Sequence, residues 1–178
     1  AAIVQKYCKR NDRIKLIRSK FNGGPANARN QALKRAQGRW IAFLDSDDLW
    51  DEQKLHEQIL FHKAQGTVLT YTEYRRFQEN KSPGKVVWIP KSLTYFELLG
   101  NTAIATSTVM VDRNISGPIH MKDIYYDDFG CWLDLLRNGG KAYGLRMCLM
   151  EYRVLTKSVS RNKIKSSIEV WKILRKTE

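Results

Sequence analysis

The order of pattern types along the first 71 residues constrains this chain more than any other feature. Residues 2–9 read as the end of a helix. IKLIR at 14–18 is short and rich in β-formers, so it is a strand candidate. FNGG at 21–24 is a loop. Pro25 suits the first position of a helix that runs to about Gln37 and stops at Gly38. Trp40-Ile41-Ala42-Phe43-Leu44 is a continuous apolar run, too short for a helix, and reads as a strand buried on both faces. DEQKLHEQILFHKAQ at 51–65 places Leu55, Ile59 and Leu60 at helical spacing, and Gly66 ends it. TVLTY at 67–71 is a further strand. Alternation of this kind predicts an α/β domain, with a mainly parallel sheet wrapped by helices in three α/β/α layers.

The second half is less regular. Residues 73–90 suggest a hairpin-like excursion around Ser82-Pro83-Gly84. Thr94 and Glu97 match a helix capping box, and Ser107–Val111 is a strand candidate. Asp127-Asp128 opens an amphipathic helix carrying Phe129, Trp132, Leu133, Leu135 and Leu136, closed by Asn138-Gly139-Gly140. Residues 143–145 and 149–152 read as extended. A tail over about 166–178 reads as a helix with Ile168, Trp171 and Leu174. With no internal repeat or linker, the 178 residues form one domain.

Charge placement adds a partner class. The formal net charge is +13, and residues 1–40 hold eleven Lys and Arg against the single acid Asp12. Such a field attracts nucleic acid, anionic lipid or a diphosphate, or it is a solvated surface. No apolar run of about 18 residues is present, so no membrane-spanning helix is expected. The opening AAIVQKYCKRND resembles mid-helix sequence, not a targeting segment, and points to a start inside a longer protein. Cys8, Cys131 and Cys148 are odd in number and lack a CxxC pair, which suits free thiols in a reducing cytoplasm. His56, His62 and His120 show no metal-ligand spacing, and His56 and His62 read as surface residues of a charged helix.

Three segments carry chemistry. FLDSDD at 43–48 delivers Asp45, Asp47 and Asp48 into a turn at the carboxyl end of a strand, where ligands bind in open α/β sheets. Clustered carboxylates repel unless a cation sits among them, and Mg²⁺ or Mn²⁺ suits such oxygen ligands. The alternative is that Asp47 or Asp48 only caps the next helix. NGGPANARN at 22–30 combines Gly23 and Gly24 with a helix N-terminus, which favours an anion, although the same pattern serves as a plain turn. YYDDFGCWLDLL at 125–136 offers Asp127 and Asp128 either as helix-start charges or as a general base.

In this order, NGGPANARNQALKRAQGRWIAFLDSDD, DDFGCWLDLLRNGG and EYRVLTKSVSRNK resemble the family 2 glycosyltransferases, with the GT-A fold. The closest look is to bacterial enzymes of teichuronic acid and capsule polysaccharide synthesis. The resemblance implies that Asp45 contacts the nucleotide ribose or the metal, and that Asp47 ligates a Mn²⁺ or Mg²⁺ ion. It implies that Asp128, beside Asp127, activates the acceptor hydroxyl. Arg29, Gly23 and Gly24 would lie on the nucleotide side. The expected reaction is a single inverting displacement from a nucleotide-diphosphate sugar, such as a UDP-sugar. The acceptor would be a saccharide or lipid-linked saccharide. The expected location is cytoplasmic, peripheral on an anionic membrane face. Members also carry a first strand-helix-strand unit that would precede Ala1, and many carry a His where Leu155 stands. Two other readings are a sugar nucleotidyltransferase, which wants a glycine-rich loop at the first strand, and a basic nucleic-acid module using Tyr71, Tyr74, Phe77 and Trp88. The first reading expects no nucleic acid.

Overall fold

The computed structural model describes residues 2–78, 84–101 and 104–154, together with 170, 171 and 175. Two helices open the chain: α1 (Ala2–Cys8), with no buried residue, and α2 (Gly24–Leu33). Then come β1 (Trp40–Ala42), β2 (Leu49–Trp50), α3 (Lys54–Gln65) and β3 (Leu69–Phe77). Next are β4 (Val86–Val87), β5 (Ser92–Thr94) and α4 (Tyr95–Leu99). A 3₁₀ turn at Thr106–Thr108 leads to β6 (Met110–Asp112), α5 (Arg113–Ser116), α6 (Asp127–Leu136) and β7 (Lys141–Arg153).

The sheet runs β1-β6-β3-β7-β2, with β4 paired to β3 and β5 to β7. β3 and β7 form a long parallel ladder from Leu69↔Ala142 to Phe77↔Arg153. β6 is antiparallel to both β1 and β3, so β1, β3 and β7 share one direction. The central strands are therefore parallel in sense, with β6 inserted between two of them and the short strands running the other way. The expected hairpin exists as the β3–β4 pairing Tyr74↔Val87. Ser82 and Pro83 fall outside the described residues, as do Leu155 and most of the tail.

Side-chain alternation on β3 sets the layers. Leu69 and Tyr71 join the apolar core with Trp132, Leu133 and Leu136 of α6. Phe43, just beyond β1, meets Trp132 edge-on at 5.4 Å. Thr70, on the opposite face of β3, meets α3 instead. Helices thus cover both faces of the sheet. α4 carries the expected capping box, with Thr94 Oγ1 accepting from the Glu97 amide and Glu97 accepting from the Thr94 amide.

Several expectations are corrected. Residues 14–18 make no strand, and only Leu16 and Ile17 are half-buried. An apolar β-former run needs a hydrogen-bonded neighbour to become a strand, and among the described residues it has none. The strand at 40–44 is not buried on both faces: Ile41 and Phe43 are buried, while Leu44 is 47% exposed. The strand expected at 107–111 starts at Met110, because Thr106–Thr108 coil into the 3₁₀ turn. The inner face of α3 is also reversed. Leu55 and Leu60 are exposed, whereas Lys54, Gln58 and His62 are buried. His62 is therefore not a surface residue. Its ring nitrogens meet Thr70 Oγ1 at 3.0 Å and the Thr67 carbonyl at 2.7 Å.

Candidate active site

The acidic turn begins where β1 ends. Phe43 anchors the strand in the core, and the chain then bends back so that the Asp48 amide donates to the Asp45 carbonyl at 3.1 Å. The three carboxylates face different surroundings. Asp48 is 7% exposed. It accepts the Ser107 hydroxyl at 2.6 Å and the Arg153 amide at 3.0 Å. Burial pushes its carboxyl above the ordinary aspartate range, and those two donors oppose the shift. Asp48 is thus a structural anchor and not the cap of α3, which has no side-chain cap hydrogen bond.

Asp45 is half-buried, and its amide donates to Ser107 Oγ at 3.0 Å. Its carboxylate takes Arg29 Nη2 at 2.5 Å. Arg29, from α2, also donates through Nη1 to Asp127 at 2.8 Å. One guanidinium therefore joins the turn after β1 to the start of α6. Burial alone would lower the proton affinity of Arg29, but the two carboxylates outweigh it and hold the group above its usual value. Asp127 is 5% exposed, and burial raises its carboxyl while Arg29 opposes the rise.

Asp128 occupies the next position of α6 and is half-buried. Its Oδ2 accepts the Thr106 hydroxyl at 2.5 Å, and its Oδ1 accepts the Phe129 amide at 2.7 Å. Asp47 sits half-exposed, with its backbone carbonyl held by Arg153 Nε at 2.8 Å. Among the described residues, its carboxylate has no hydrogen-bond or ion-pair partner. Gly23 and Gly24 form the entry to α2. Gly24 has φ +75°, a left-handed conformation, and a Cβ on Gly23 would fall 2.1 Å from Asn27 Nδ2. The turn is thus built from glycines for steric reasons, at the amino end of the helix that carries Arg29.

The structure brings Asp45, Arg29, Asp127, Asp128 and Asp48 into one connected group, with Asp47 on its rim. Sequence reading missed Thr106 and Ser107, which link the acids of the two segments. The available signal was a run of three hydroxyl residues at 106–108 next to an apolar strand. All three are buried, and buried hydroxyls need partners. A groove of about 660 Å³ lies elsewhere, lined by Lys34, Arg39, Arg113 and His120 at the opposite end of β1. It holds none of the acidic residues.

No cluster of three metal-ligating side chains occurs among the described residues. Asp45 Oδ1 is held by Arg29, whereas the Asp47 carboxylate has no protein partner among the described residues, so Asp47 is the carboxylate of the turn most open to a metal. A single carboxylate fits an ion that takes its other oxygens from a substrate diphosphate and water.

The glycosyl transferase family 2 model matches residues 1–115. The chain belongs to glycosyl transferase family 2. It is 42% identical, over 178 residues, to TuaG of Bacillus subtilis (strain 168), assigned to teichuronic acid biosynthesis as a glycosyltransferase. That match covers 99% of this chain and 71% of TuaG. It is 37% identical over 165 residues to WfgD of Escherichia coli. WfgD is named a UDP-Glc:α-D-GlcNAc-diphosphoundecaprenol β-1,3-glucosyltransferase, and the match covers 92% of this chain and 65% of WfgD. In structure, the family 2 chain superposes on the mannosyltransferase PcManGT of Pyrobaculum calidifontis in complex with GDP-Man and Mn²⁺. The TM-score is 0.69 at 14% identity, over 99% of this chain and 50% of that one. The fold is GT-A. The chain spans about two thirds of WfgD and half of PcManGT.

Proposed function

We propose that this chain carries the reaction centre of an inverting glycosyltransferase that moves a sugar from a UDP-sugar to a saccharide on a lipid-linked acceptor of a bacterial surface polysaccharide. The observation that carries this reading is the Arg29 bridge between Asp45 and Asp127. It joins the acidic turn to the amino end of α6, so a donor diphosphate and an attacking hydroxyl can meet between them. WfgD, named for a UDP-Glc donor and a diphosphoundecaprenol acceptor, supports the donor and acceptor classes. Membership of the family supports this reading over the nucleotidyltransferase one.

Asp47 would hold a Mn²⁺ or Mg²⁺ ion, which when bound neutralises charge on the leaving diphosphate. Arg29 fixes Asp45 for its contact with the nucleotide. The Gly23-Gly24 turn lies on the nucleotide side. Asp128 is the base: the acceptor oxygen bonds to the anomeric carbon, the bond to the diphosphate breaks, and the hydroxyl proton passes to Asp128. Each Asp128 oxygen keeps a lone pair beyond the hydrogen bond it accepts, so the group can still take that proton. Positioning and electrostatics supply the remainder of the rate. No helix among the described residues is long and apolar enough to cross a membrane. We place the enzyme at the inner membrane face, peripheral to it.

The test uses UDP-glucose and a GlcNAc-diphospholipid acceptor. Calorimetry should show UDP binding that strengthens at least about tenfold with Mn²⁺. Asp128→Asn should cut transfer by about 10²-fold or more while UDP affinity stays within about twofold. UDP binding no tighter with Mn²⁺ than without it, or transfer retained by Asp128→Asn, would overturn the corresponding assignment.

A further inference from the structure

The 3₁₀ turn at Thr106–Thr108 lies between the two acidic segments, and each segment is attached to it by a different hydroxyl. Thr106 and Ser107 are 5% and 1% exposed. Thr106 Oγ1 donates to Asp128 Oδ2. Ser107 Oγ donates to Asp48 Oδ2 and accepts the Asp45 amide. The Ser107 carbonyl accepts Trp50 Nε1 at 2.7 Å, which ties the far end of the acidic turn to the same residue. The turn itself is anchored from α3, because Gln58 Nε2 donates to the Thr108 carbonyl at 2.9 Å.

We propose that Thr106 and Ser107 are positioning residues, one orienting the base Asp128 and the other fixing the donor turn Asp45–Asp48, so that adjacent residues of one rigid turn set the spacing between acceptor activation and donor binding. This rests on the reading of Asp128 as base and of the acidic turn as donor site. A hydroxyl that holds one carboxylate oxygen removes rotation about the Asp128 side chain. The other oxygen is held by the amide of its own helix. Misplacing a reacting group by about 1 Å can cost on the order of 10²-fold in rate. Ser107 acts on the other partner. Without its hydroxyl, the Asp45 amide and Asp48 Oδ2 both lose a bond, and the turn loosens where the donor would sit.

The two residues therefore separate in kinetics. Thr106→Val keeps shape and burial and removes the hydroxyl. It should lower kcat for UDP-glucose transfer by about tenfold or more, with KM for UDP-glucose within about twofold. Thr106→Ser, which keeps the hydroxyl, should recover most of that loss. Ser107→Ala should do the reverse, weakening UDP–Mn²⁺ binding by about tenfold in calorimetry while changing kcat little. Thermal unfolding checks that each variant is folded, and Thr106→Ala, which also removes the hydroxyl, reports on Thr106 if the valine variant is not. If Thr106→Val matches wild type where Asp128→Asn is inactive, the assignment of Thr106 is wrong and the base stands. If Asp128→Asn is itself active, the base reading fails first. Wild-type UDP affinity in a folded Ser107→Ala protein would overturn the assignment of Ser107.

Discussion

Arg29 is held by carboxylates at positions 45 and 127, and the bridge has a consequence for stability whatever ligand it faces. Asp127 is nearly enclosed, and its side chain keeps 7% of its exposure. An enclosed carboxylate without its cation costs several kcal/mol. Asp45 is more open at 37%, so solvent screens that half of the bridge. Arg29→Ala should therefore destabilise by about 2–3 kcal/mol, mostly through Asp127. Adding Asp127→Asn should recover a good part of the loss, because the stranded charge is gone. Denaturant unfolding of the single and double variants measures this. An Arg29→Ala protein as stable as wild type would mean that the guanidinium is a ligand contact and not a strut. In the sequence, the resemblance puts Arg29 on the donor side, but nothing there marks it as the link to Asp127. A salt bridge between distant segments leaves no local pattern.

At the scale of elements, legibility follows from what each face buries. α6 was readable because its inward residues Trp132, Leu133 and Leu136 are apolar and fully buried. The box at Thr94 and Glu97 was readable because both partners lie within four residues. α3 was misread because its buried stripe is Lys54, Gln58 and His62, and hydrophobic periodicity cannot find a polar face. That stripe is satisfied by the carbonyls of Thr67, Thr70 and Thr108 and by the Thr70 hydroxyl. Lys54 Nζ donates to Gln58 Oε1 at 2.6 Å and lies 4.5 Å from the Trp50 ring, while Gln58 Nε2 reaches the Thr108 carbonyl. The turn at Thr106–Thr108 escaped for the same reason, being a hydroxyl cluster that runs into what looked like a strand at 107–111.

The stripe has a pH consequence. Burial pushes Lys54 down to about 7, from an ordinary value of 10.5. A lysine whose affinity for its proton falls on folding binds that proton better in the unfolded chain. It lowers stability below its unfolded pKa, and the penalty reaches its full size once pH drops past about 7. Between those values stability rises with pH. Lys54→Met removes the buried cation but leaves Gln58 Oε1 without its donor. The net gain should be about 1–3 kcal/mol near pH 6, shrinking to nothing or reversing near pH 10. Thermal unfolding of both proteins at several pH values tests this. A gap in Tm that does not change with pH would show that Lys54 stays charged in the fold.

For the whole molecule, the deciding feature is the separation of charge. The acids that form the site lie in the turn after β1 and at the start of α6, while the chain as a whole carries +13. Of the basic residues up to Arg39, Arg29 and Arg39 are ion-paired with Asp45, Asp127 and Asp112, while the others have Asp12 as their one acidic neighbour in sequence, so most of their field is not cancelled locally. A membrane rich in anionic lipid attracts each nearby Lys or Arg by about 1 kcal/mol, and the attraction dies within a Debye length, about 10 Å at 0.1 M salt. Several such residues suffice for peripheral binding without any inserted helix. The chain should therefore co-sediment with vesicles containing phosphatidylglycerol at low salt and release at about 0.5 M salt, where screening shortens the reach of the field. Pure phosphatidylcholine vesicles should retain little. Binding that is equal on both lipids, or that survives high salt, would point to apolar insertion instead and would sink the electrostatic account. The same field also draws a nucleotide diphosphate, so added UDP without metal should compete weakly for the basic surface. UDP with Mn²⁺ should bind at the acidic turn and leave vesicle binding unchanged. Loss of vesicle binding on adding UDP–Mn²⁺ would mean that membrane and donor share one surface, against the separation of charges seen here.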